Sequence, residues 1–206
     1  CIVDGANITA AAYAGGLVGD IHSTVGATMN NCWFAGSVSG TGSHHGQLLG
    51  GVRNVSGSDS KATCTISNCL ATGTIDLRSN AGGLVGTVWK PNCTLTIKDS
   101  LFAGRFVTGL VASTSNNGTI IANAGNGKVT VTNTYVKEGS GVSTKIGNKG
   151  SNSDTGITNL SASKLQGSSA ESNMKVDFYK KGTNEKGIWY IVEGSNPVLA
   201  SFVTKQ

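Results

Sequence analysis

The stretch CTISNCLATGTI, residues 64–75, decides how this chain folds. At its start Cys64 and Ile66 alternate with Thr65 and Ser67, and strict period two marks a strand with one buried side. Asn68 comes next, then a small residue, a short apolar run, a glycine and a second β-branched position at Ile75. Asn tolerates the left-handed backbone of a tight corner, so the stretch reads as strand, corner, strand, turn and strand.

The pattern recurs along the chain. NCLATG at 68–73 has counterparts in NCWFAG at 31–36, DSLFAG at 99–104 and NTYVKEG at 133–139. Before each lies an alternating stretch, which places Ala27/Met29, Cys64/Ile66, Leu95/Ile97 and Val129/Val131 on one face. Thr28, Thr65, Thr96 and Thr130 then share the opposite, outward face and form the expected binding face. A second phrase, GGLVG at 15–19, returns as GQLLG at 46–50, GGLVG at 82–86 and, degraded, TGLVA at 108–112. Its leucines, Leu17, Leu48, Leu84 and Leu110, lie 31, 36 and 26 residues apart. Such a period with variable spacers predicts a solenoid whose strands keep register while its loops change length.

Stacked coils place equivalent residues ~4.8 Å apart and turn equivalent positions into ladders. Asn31, Asn68, Asp99 and Asn133 form one at a corner; Cys32, Cys69, Ser100 and Thr134 turn inward where only small side chains fit. The expected fold is all-β: a right-handed parallel β-helix of about four to five coils over residues 1–142, with a small C-terminal cap over 143–206. Composition agrees, since 30 glycines and abundant Ser, Thr and Asn disfavour helix while 38% hydrophobic residues suffice for a core.

These phrases resemble the GLUG-motif repeats, named for a Gly-Leu-hydrophobic-Gly core that GGLVG at 15–19 and 82–86 matches. TISNCLATGTI at 65–75 is similar to the strand that accompanies the motif, and the resemblance covers roughly residues 1–142, weakening where Ala112 replaces a glycine. It implies a secreted or cell-surface β-solenoid, a stalk or adhesin-like structural protein, and no catalytic residues. It also implies the cap: NLSASKLQG at 159–167 reads as a short helix capped by Ser161 and stopped by Gly167, followed by VDFY, GIWYIV and NPVLASF. A cap covers the core and strand edge that a last coil exposes, and Phe178, Trp189 and Tyr190 are assigned to its interior.

Candidate chemistry is sparse. Polysaccharide-cleaving β-helices need clustered carboxylates, and no equivalent positions in neighbouring repeats carry two of the 11 acids. No catalytic, cofactor-binding or metal-binding residue is assigned, and His44-His45 in GTGSHHG read as a solvated loop. Cys64 and Cys93 lie two positions out of register on one strand face, close enough for a disulfide, and five cysteines leave one unpaired. The net charge of +5 is scattered without the basic, aromatic-laced runs of nucleic-acid binders, and no apolar window of about 18 residues spans a membrane. A flat threonine row can organise water and bind ice, but Lys98 interrupts the flanking positions Asn30, Ser67 and Thr132.

CIVDGANI at 1–8 aligns under CWFAGSV and CLATGTI with one extra residue, Cys1 with Cys32 and Cys69, and Gly5 with Gly36 and Gly73. The chain is therefore expected to start mid-coil, its open edge completed by further repeats or by another copy in a head-to-tail filament. The expected function is an extracellular binding module for a host protein, a glycan or itself; the alternative is a polysaccharide-active enzyme or its carbohydrate-binding accessory module.

Overall fold

The computed structural model describes residues 1–22, 26–54, 61–77, 80–108, 116–180 and 187–203. They are mostly β, in three main parallel sheets that successive repeats visit in the same order. One sheet has four strands, Ala27–Asn30, Thr63–Ser67, Thr94–Lys98 and Lys128–Thr132. A five-stranded sheet takes Val18–Ile21, Leu49–Val52, Val85–Val88, Ile121–Asn123 and Ile146–Asn148. The largest, with eight strands, begins at Ile2–Ala10 and Trp33–Gly40 and ends at Thr134–Lys137 and Ile157–Leu160. All three send apolar side chains, among them Ile66, Val85, Ile97 and Phe102, into one core.

Corners between sheets explain the ladders. Asn31, Asn68, Asp99 and Asn133 have φ of 53°, 51°, 50° and 43°, the left-handed region that Asn and Asp tolerate better than other side chains. The residue after each is a hydrogen-bond donor. Cys32 Sγ, Cys69 Sγ, Ser100 Oγ and Thr134 Oγ1 donate to the carbonyl two residues back, at 3.3, 3.2, 2.8 and 3.0 Å. Small size alone would admit Ala there; the shared donor explains why Cys, Ser and Thr interchange.

A second left-handed corner precedes the glycine phrase, at Tyr13, His44, Asn80 and Asn116, with φ of 53°, 70°, 60° and 58°. The phrase needs glycine for close approach. A Cβ on Gly15, Gly46, Gly82 or Gly118 would collide with the carbonyl oxygen three residues on, and one on Gly50, Gly86 or Gly147 would collide with the backbone of the corner residue.

Leu110 lies outside the described residues, and the described ladder continues from Leu84 to Ile120. The N–H groups of Leu17, Leu48 and Leu84 donate to the carbonyls of Leu48, Leu84 and Ile120 at 3.2, 3.0 and 3.0 Å, so Ile120 stacks on Leu84. Its phrase, NGTIIA at 117–122, retains one glycine and escapes a search for Gly-Leu. The sheets also continue past 142, because Ile146–Asn148 and Ile157–Leu160 both pair with the preceding repeat. A boundary at 142/143 would detach this last repeat from the stack that it extends. At the other end Ile2 pairs with Trp33 and Ile8 with Val38, the extra residue forming a bulge where Gly5 has φ 67°.

The C-terminal segment differs from the expected helix over 159–167. Residues to Leu160 are strand, Ala162–Leu165 is a 3₁₀ turn and Gly167 precedes the helix Ser168–Asn173. With the antiparallel pair Trp189–Tyr190 and Val198–Leu199, this segment builds a second core. Leu165, Met174, Phe178, Trp189 and Leu199 pack there against Leu70, Leu101 and Tyr135, which three successive repeats present on the outward face of the eight-stranded sheet. The segment thus lies along the flank of the stack rather than only over its last repeat. Tyr135 secures it, its hydroxyl accepting the Lys175 N–H at 2.5 Å.

Candidate functional site

On the four-stranded sheet Thr28, Thr65, Thr96 and Thr130 stand in register, one per strand. Thr28 and Thr130 are exposed, while Thr65 and Thr96 are half-exposed. Beside them Asn30, Ser67, Lys98 and Thr132 form a second row, with Ser67 Oγ donating to Asn30 Oδ1 at 3.0 Å. Exposed Lys98 and Lys128 place two positive charges on this otherwise hydroxyl-rich face.

The five-stranded sheet carries a different surface. Tyr13 and His44 stack at 4.7 Å, Trp89 meets His44 edge-on at 5.6 Å, and the Arg53 guanidinium sits 4.1 Å from the Tyr13 ring centroid. Arg53 also pairs with Asp20 at 2.5 Å. Gly51 leaves room for the Tyr13 ring, since a Cβ there would come within 2.8 Å of it. His44 and His45 are accordingly buried and do not form a solvated loop. Burial, then the charges of His45 and Arg53, hold His44 below its ordinary pKa, so the neutral ring is favoured. The signal was the alignment of HHGQLLG with YAGGLVG, which puts His44 at the corner and His45 at the buried position of Ala14.

All five cysteines are free. Cys64 stands opposite Leu95 while the Thr94 N–H, next to Cys93, bonds Ala62 O at 2.9 Å, which keeps the two thiols in different register rows. Hydrogen bonding with the Cys69 thiol holds Cys32 below the ordinary thiol range despite the opposing effect of burial. The same contact and burial push Cys69 up, and burial alone takes Cys64 up to about 12.

A concave surface lies where the eight-stranded sheet bends. Thr72, Gly73, Thr74, Gly104, Arg105 and Lys137 line a hollow of about 240 Å³ together with Ala103, Glu138 and Gly139. A neighbouring hollow of about 410 Å³ shares Lys137, Glu138 and Gly139 and extends past Ser143 to Asn159. Gln47 supports the floor from inside, wholly buried, its Oε1 accepting the Gly73 N–H at 3.1 Å. Sequence reading assigned none of these residues to a site, because they are separated by a repeat length and meet only through stacking.

Among the described residues no three His, Cys, Asp or Glu side chains converge as a metal site requires, and no helix is long and apolar enough to cross a membrane. No family model, curated protein or solved structure matches this chain.

Proposed function

We propose that the chain is a GLUG-type, right-handed parallel β-solenoid that serves as an extracellular, surface-located binding module. Right-handedness follows from the strong preference of parallel crossover connections for that path. Strands from five repeats in the sheet ending at Ile146–Asn148 support about five coils. The observation that carries the function is the register: stacking presents Thr28, Thr65, Thr96 and Thr130 as an open row, while the C-terminal segment covers the outward face of the largest sheet. Repeated weak contacts along such a row gain strength by multivalency. The location outside the cell rests on the family resemblance.

An array of glycans and extracellular-matrix proteins, run beside a reducing-sugar assay on the bound polysaccharides, tests this reading. Saturable binding without release of reducing ends is expected. Release of reducing ends would overturn it in favour of a polysaccharide-active enzyme.

A further inference from the structure

We infer that the furrow floored by Gly73, Gly104 and Gly139 binds a linear acidic polysaccharide whose sugars carry carboxylates. This inference rests on the binding-module reading and gives it a ligand class and a site other than the threonine face.

The direction of the furrow comes from register. Thr74 pairs with Arg105, and Leu70, Leu101 and Tyr135 pair two residues before Thr72, Ala103 and Lys137. The walls therefore come from equivalent positions of three successive repeats, and the furrow advances along the stack by ~4.8 Å per repeat. A polymer lying in it meets a new set of side chains at each step. Packing enforces glycine at two of these positions, because a Cβ on Gly73 would collide with Gly36 and one on Gly104 with Gly73, and a φ of 81° favours it at Gly139. The same requirement leaves bare backbone at the floor.

The lining chemistry selects the class of polymer. Thr72, Thr74, Ser143 and Asn159 supply hydroxyl and amide groups suited to a hydroxyl-rich ligand. Thr72 is already oriented: its Oγ1 accepts from Trp33 Nε1 at 2.9 Å, which leaves its own proton to donate outward. Arg105 and Lys137 face one carboxylate, Glu138, and neither cation is ion-paired with a described residue. An excess of cations over acids favours an anionic ligand, and Arg matches a carboxylate with two parallel N–H donors. The lining holds no aromatic ring, whereas binding of single-stranded nucleic acid relies on base stacking against such rings. The second hollow has the volume of an ordinary small-ligand site.

Calorimetric titration of the full chain with polygalacturonate, neutral galactan and a single-stranded oligonucleotide tests the assignment. Polygalacturonate is expected to bind saturably and to weaken as NaCl rises from about 50 to about 500 mM. Arg105→Ala with Lys137→Ala should weaken it at least about tenfold, while Arg105→Lys with Lys137→Arg should retain most binding. Superposable circular dichroism melts would show that folding is unchanged; if the alanine pair melts early, Arg105→Gln with Lys137→Gln takes its place. Unchanged affinity in the charge-neutral variant, equal binding of galactan or oligonucleotide, or no binding of polygalacturonate would each overturn the furrow assignment. The module reading survives all three if another ligand binds without turnover, and it fails separately if reducing ends are released.

Discussion

Replacing Asn68 separates the backbone demand of the corner from any contact its side chain makes. Asn68 sits at φ 51°, where a residue with a Cβ and no local polar compensation is disfavoured by ~1–2 kcal/mol. Its Nδ2 donates to Asn30 Oδ1 at 3.3 Å in an exposed setting, a long bond worth ~0.5 kcal/mol. Asn68→Ala loses both and should destabilise the chain by about 2 kcal/mol. Asn68→Gly keeps the left-handed backbone at no steric cost and should lose only ~0.5–1 kcal/mol, through the missing bond and a more flexible unfolded chain. Urea unfolding followed by circular dichroism reads both as midpoint shifts at constant slope. A glycine variant less stable than the alanine variant, or an alanine variant as stable as the parent, would refute the reasoning.

Three further outcomes follow from the same geometry. Burial, with the His45 and Arg53 charges, depresses the His44 pKa in the folded state, so its contribution is full above the unfolded value of ~6.5 and is lost as pH falls below it; His44→Asn, which suits φ 70° as Asn80 and Asn116 suit theirs, should reduce the drop in melting temperature between about pH 7.5 and pH 5. Brief iodoacetamide treatment near neutral pH should alkylate Cys32 well before Cys64 and Cys69, read by peptide mass spectrometry, and earlier labelling of Cys64 would contradict the thiol environments. Tyr135→Phe strands the Lys175 N–H and should cost about 1 kcal/mol in urea unfolding, whereas no change would argue against flank packing of the C-terminal segment.

The parallel β character was legible because one-sided burial writes a strict alternation into stretches such as CTISN and LTIKD. What escaped the reading lacked that alternation or violated the phrases. The stacking partner of Leu84 is Ile120, whose neighbours Thr119 and Ile121 share no Leu-Val core with the other copies. The last repeat, around Ile146 and Ile157, has neither the Asn corner nor the small inward donor. The flank packing did leave a trace: Trp33-Phe34, Leu70-Ala71, Leu101-Phe102 and Tyr135-Val136 are consecutive apolar pairs, as a strand covered on both faces requires. The furrow left none, since Thr72, Arg105 and Lys137 have no pattern until the repeats are superposed.

The central claim is that repeats stack in register, and the distance across the threonine row tests it most directly. Spin labels attached through ketone-bearing residues at positions 28 and 130 avoid the native cysteines and flank four paired strands. Three strand spacings give a backbone separation of ~14 Å, within reach of dipolar broadening, and the 28/65 pair should lie at one third of that. Strong broadening for 28/65, with weaker but measurable broadening for 28/130, is expected. A 28/130 separation beyond ~25 Å, or equal distances for the two pairs, would contradict the stacked register.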